Sequence, residues 1–273
     1  MGITFLLRVF VVAAAALLFS SLSLRAARAQ QPDFSEYHRA ADYCRGNVAR
    51  PMALSPDKRV LCFDGGISRE QDYSVVRSLD EDGFFVVRSY GGDGKAAIAL
   101  AGLLAERRAA VVVYEYCLSA CAQFLLTAPD QAFVLKNSLV AWHESNATQL
   151  CPVFVEARDG GPKRFEKRPC PDAPEGYKLG MVALEHAAYR FYRSRLFGFE
   201  FEMPPESVTI RRRLQRLFEV KDTCVLDLLW TWHPRYYAGV IKTKVLYEKY
   251  PDSEREVDAM ASKYPFLHVI YDP

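Results

Sequence analysis

"YEYCLSACAQFLL", residues 114–126, sets one serine, Ser119, between two cysteines where an apolar run gives way to a helical pattern. The preceding residues, "AAVVVYEYC" (109–117), are nearly all apolar and read as a strand buried on both faces. Ser119 opens a helix that Pro129 stops. A serine at a helix start usually caps it, its hydroxyl accepting from an otherwise orphaned N–H. The same place suits a nucleophile, because the exposed N–H groups favour a developing anion. The choice between these roles depends on "RSYGGDG" (88–94) upstream and "SLVAWHES" (138–145) downstream.

Around this stretch strands and helices alternate. "KRVLCFDGGIS" (58–68) reads as a strand ending in a glycine turn, and "REQDYSVVRSLDED" (69–82) as a helix. "GFFVVRSY" (83–90) is a second strand, followed at once by Gly91-Gly92. "KAAIALAGLLAERR" (95–108) has helical spacing with arginines in its last turn. "QAFVLKNSLVAWHES" (131–145) is a strand or strand pair broken at Lys136-Asn137. Such alternation predicts a single α/β domain whose parallel sheet is covered on both faces. Residues 144–178 read as a polar, Pro/Gly-rich insertion. Helix is expected over 181–197 and 204–219, short strands or helices at 224–230 and 239–250, then a helix and an extended tail.

The N-terminus reads as an export signal. Arg8 precedes sixteen uncharged, mostly apolar residues (Val9 to Leu24), and Ala27-Arg28-Ala29 is the small-x-small pattern of signal cleavage. The apolar run is short for a membrane span, which needs about 20 residues. The expected organisation is a signal at 1–29, an extension at 30–57, the main domain at 58–250 and a tail at 251–273. The signal contains Arg8, Arg25 and Arg28 and no acid, so the remainder holds 32 basic against 33 acidic residues. That balance does not steer the protein toward nucleic acid or anionic membrane. The arginines of "IRRRLQRLF" (210–218) read as a solvated helix face, and Asn146 heads an Asn-x-Thr triplet.

All seven cysteines follow the signal, so pairing is expected in an oxidising compartment, with one left over. Cys151 with Cys170, bracketing the polar insertion, is the first candidate bridge, and Cys44 with Cys62 the second. Cys117 and Cys121 read as packing beside the serine or as a disulfide that stiffens its turn. Neither they nor the histidines at 38, 186, 233 and 268 show metal-ligand spacing.

In a parallel sheet the ends of these strands share one edge, which brings Gly91-Gly92, Ser119 and His143 together. A hydroxyl, an imidazole that can take its proton and backbone donors for an oxyanion are the parts of an activated-serine hydrolase. In order and spacing, "SYGGDG", "YCLSACA" and "NSLVAWH" resemble the Clp protease proteolytic subunit and its relatives in the crotonase-like superfamily. They are closest in pattern to exported bacterial proteins with a C-x-S-A-C serine motif. The likeness covers residues 58–145 closely and 179–245 loosely.

The resemblance implies a crotonase-like spiral of βα units, with a disulfide-bearing insertion and a helical C-terminal part. It implies a peptidase-like Ser-His-Asp hydrolase of peptide or protein substrates, with Ser119 as nucleophile and His143 as general base. Gly92 and Ala120 would supply the oxyanion N–H groups. Asp222 fits the displaced position of the third member, and Asp227 is the second choice. Lys95 or Lys136 would be needed for the serine-lysine dyad of membrane relatives, and neither sits at a matching position. No metal or organic cofactor is implied; a homo-oligomer is. Tyr90 stands where the family has proline, and Trp142 and Glu144 flank the histidine. The rival readings are an inactive binding or scaffold protein of the periplasm and an acyl-CoA-handling relative, against which export argues.

Overall fold

A computed structural model describes residues 32–47, 51–142, 150–155, 164–169, 187–195, 228–237, 239–264 and 268–273, the two strands of the insertion by their backbone. The expected signal, the arginine-rich stretch 210–218, Asn146, His143, Asp222, Asp227 and Cys170 lie outside the described residues. Two compact units are distinguished, 1–34 and 35–273, and all that follows concerns the second.

Helix α1 (Ser35–Arg45) leads into β1 (Met52–Leu54), β2 (Val60–Asp64), β3 (Phe84–Ser89), α2 (Gly94–Glu106) and β4 (Ala110–Leu118). After a short helical turn (Cys121–Leu125) come β5 (Gln131–Val134) and β6 (Leu139–Ala141). The insertion holds β7 (Leu150–Val155) and β8 (Arg164–Pro169), and residues 187–195 form helix α3. The chain ends in β9 (Leu228–Trp230), β10 (Lys244–Tyr247), α4 (Glu254–Ala261) and β11 (His268–Ile270).

The main sheet has the order β1-β2-β3-β4-β5-β10, and β6 also pairs with β4. Only β1 is antiparallel to its neighbour; the other pairings within this sheet are parallel. The fold is therefore mixed α/β with a mostly parallel sheet. β4 is long enough to take β5 beside Val111–Val113 and β6 beside Tyr116–Leu118. The chain changes course between them at Asn137, which adopts φ +60°. Asparagine tolerates this left-handed backbone better than most residues. A parallel pair β9–β11 and an antiparallel hairpin β7–β8 complete the strands.

Burial follows the alternation of the strands. Leu61, Phe63, Phe85, Val87, Val111 and Val113 share one core with Ala97, Leu100, Ala101 and Leu104 of α2, spaced as one helix face. On the other face α1 is tied to the sheet by a Cys44–Cys62 disulfide, with Cα atoms 5.3 Å apart. Replacing both cysteines by serine is expected to lower unfolding free energy by about 3 kcal/mol, since the bond joins residues 18 apart in the chain. A urea midpoint that does not move would show that α1 is held by packing alone.

Two sequence expectations need correction. Residues 69–82 form only one tight helical turn, Ser74–Ser78. Asp72 accepts from both the N–H and the hydroxyl of Ser74 (2.8 Å each), and this local bond competes with a regular helix start. The helix expected from Ser119 to Pro129 is also short, and it closes with a wide bond from Leu126 N–H to Cys121 C=O (3.0 Å). Among the described residues no helix is long and apolar enough to cross a membrane.

Candidate active site

The C-terminal ends of β3, β4 and β6 meet at one edge. Ser89 is level with Cys117, and Cys117 with Val140, so Gly91, Ser119 and Trp142 follow at matching positions. Ser119 N–H donates to Ala141 C=O (3.0 Å), tying the serine to the end of β6 two residues before His143.

Ser119 sits at the strand-to-helix junction with φ +55°, half-buried. For an L-residue this costs about 1 kcal/mol or more, so the surroundings must hold it. One restraint is covalent: Cys117 and Cys121 are disulfide-bonded across the turn, and both are buried. This resolves the two readings of the pair in favour of the bond. A second restraint is the close approach of Gly91, φ +89°. A Cβ there would stand 2.6 Å from the Leu118 carbonyl oxygen and 2.8 Å from both the Ala120 nitrogen and Ser119 Cβ. Only glycine lets the two turns touch.

Backbone bonds order both sides of this turn. The first α-helical bond of the turn runs from Gln123 N–H to Ser119 C=O (2.9 Å). Ala120 N–H therefore precedes the first donor that the helix can satisfy. On the β3 side, Ile67 N–H donates to Gly91 C=O (2.8 Å) and Asp93 N–H to Ile67 C=O (2.9 Å). Successive residues of a strand point their peptide groups to opposite sides, so Gly92 N–H points away from Ile67. Gly92 is exposed while Gly91 is buried. Its N–H is thus presented on the side where a substrate oxygen could lie.

Supporting groups fix this turn. The buried Ser89 hydroxyl accepts from Gly91 N–H (3.1 Å), and Asp93 caps α2 by accepting from Ala96 N–H (2.9 Å). Asp93 also pairs with Arg69 (2.6 Å). Burial pushes its carboxyl upward, but the Arg69 guanidinium and the helix N–H groups outweigh that and hold it below the usual range. Sequence reasoning missed the Ile67 bridge and the Ser89 and Arg69 contacts. "GGIS" reads only as a turn, and nothing local says that it lies against Gly92.

The geometry thus brings Ser119, Gly92 and Ala120 together. No family model matches the chain, and no curated protein matches it. Among the described residues no group of three or more His, Cys, Asp or Glu is placed to hold a metal ion. β9 begins directly after Asp227, and Trp230 exchanges backbone bonds of 2.8 Å in both directions with Trp142, the neighbour of His143. The end of β9 therefore lies against Trp142.

Proposed function

We propose that this chain is an exported serine hydrolase of peptidase-like chemistry, built on the crotonase-like spiral of the Clp protease proteolytic subunit. The observation that carries the reading is the left-handed Ser119, pinned at a strand-to-helix turn beside the exposed Gly92. Strained non-glycine backbone concentrates at functional sites, and a plain cap needs no such conformation. The disulfides Cys44–Cys62 and Cys117–Cys121 fit an oxidising compartment.

In this reading Ser119 Oγ attacks a peptide or related acyl carbon while His143 takes its proton. The oxyanion receives the N–H groups of Gly92 and Ala120. His143 returns the proton to the leaving group, and water then releases the acyl group from Ser119 by the same route. The test is a fluorophosphonate probe on the folded protein. Labelling lost in Ser119→Ala and strongly reduced in His143→Ala supports the hydrolase. A folded protein that takes no label is the scaffold instead.

The third member is tested separately. In the sequence Asp227 stands three residues before Trp230, whereas Asp222 stands eight before it. The bridge to Trp142 therefore shifts the weight to Asp227. Asp227→Asn is expected to lower turnover by about 10⁴-fold and Asp222→Asn by no more than a few fold. Ester hydrolysis rates of the two variants decide between them, and the reverse order would restore Asp222.

A further inference from the structure

Tyr90 stands two residues before Gly92 with 48% of its surface exposed. Among the described residues only Tyr189 is a comparably open large hydrophobic side chain. The Tyr90 ring is nevertheless held. Its centroid lies 4.3 Å from that of Tyr116 and 5.6 Å, edge-on, from that of Tyr264, and the latter two are 4.6 Å apart. Tyr116 is buried, so the three rings form a braced wall whose open face is Tyr90.

An irregularity in β4 accompanies the wall. From Val113 to Cys117 the strand advances four residues while β3 advances two, from Val87 to Ser89, and Glu115 takes φ +60°. Bulges of this kind re-aim side chains and recur beside active sites. Arg88 braces the bulge: its Nε and one terminal nitrogen hold both Asp64 oxygens (2.7 and 2.6 Å), and the other terminal nitrogen holds Glu115 (2.8 Å). The cluster has one more carboxylate than cations, and each nitrogen of its guanidinium already holds a carboxylate oxygen. It therefore disfavours an acidic side chain, as do the electron-rich ring faces.

We propose, on top of the hydrolase reading, that Tyr90, braced by Tyr116 and Tyr264, is the subsite for an aromatic or bulky apolar side chain beside the bond that Ser119 attacks. Its position follows from the backbone: Tyr90 is one peptide step, about 3.8 Å between Cα atoms, from Gly91, which touches the Ser119 turn. The subsite is a specificity device for acyl and peptide substrates, distinct from the residues that do the chemistry.

The test compares kcat/KM of the purified protein on the p-nitrophenyl esters of N-acetyl-phenylalanine, N-acetyl-alanine and N-acetyl-glutamate. The phenylalanine ester is expected to be best and the glutamate ester worst. Tyr90→Ala should lower the rate on the phenylalanine ester by about tenfold and leave the alanine ester within about threefold, while Tyr90→Phe keeps the preference. Should Tyr90→Ala fail to fold, Tyr90→Gln carries the same comparison. An equal loss on both esters, an unchanged preference, or a preference for glutamate overturns the subsite while Ser119 still takes a fluorophosphonate. A folded native protein with neither labelling nor hydrolysis overturns the hydrolase reading, and the subsite falls with it.

Discussion

Ser119→Ala and Ser119→Gly are both expected to lower turnover by at least about 10⁴-fold, yet to differ in stability, with the glycine variant the more stable. Neither alanine nor glycine can form the acyl intermediate, so both are inactive. Alanine keeps the cost of φ +55°. Glycine is at ease in left-handed backbone and relieves it. Ser119→Gly should therefore gain up to about 1 kcal/mol, or about 2 °C in Tm for a chain of this size. A position kept at a cost in stability is what a nucleophile turn requires. Full hydrolysis by either variant would rule out Ser119 as the nucleophile.

The second large effect is on the oxyanion turn. Gly92 has φ +138°, and a Cβ there would stand 2.2 Å from the Ile67 carbonyl oxygen. Nothing flexible can give way, because the obstacle is backbone. In Gly92→Ala the bridge to Ile67 has to open, releasing the bonds from Ile67 N–H to Gly91 and from Asp93 N–H to Ile67. The expected cost is about 3–5 kcal/mol, a fall of roughly 10 °C in Tm. Fluorophosphonate labelling should vanish with it. Gly102 is the control: it lies inside α2 with nothing within 4 Å of a Cβ, so Gly102→Ala should gain about 0.5–1 kcal/mol and keep labelling. Scanning calorimetry of the two variants gives the comparison, and equal shifts would contradict the bridge.

How much of this was legible in the sequence depends on the range of the forces. β2, β3 and β4 were readable because strands buried on both faces are apolar throughout, as in Val111–Val113. α2 was readable from Ala97, Leu100, Ala101 and Leu104 on one face. The break at Lys136-Asn137 was visible, but not that β6 beyond it would join β4 rather than continue beside β5. That choice is made by tertiary packing around Leu139 and Ala141. The hairpin β7–β8 escaped notice because "RFEKRP" is polar and ends in proline, the opposite of a buried strand.

The site divides in the same way. Gly92, Ser119 and Ala120 could be brought together on paper because parallel strands end on one edge. The left-handed backbone at Ser119 and the disulfide across it were not fixed by spacing alone. The Tyr90–Tyr116–Tyr264 wall was hidden because it joins residues from three separate stretches through a bulge that no local pattern announces.

The central claim is that the Ser119 hydroxyl is the activated group, and mass-spectrometric mapping of the fluorophosphonate adduct on the folded native protein tests it most directly. One stoichiometric adduct on the peptide that carries Ser119, formed more slowly as pH falls and a histidine base protonates, is the expected result. An adduct on any other residue, or an unmodified Ser119 after exhaustive treatment of folded protein, would contradict the account.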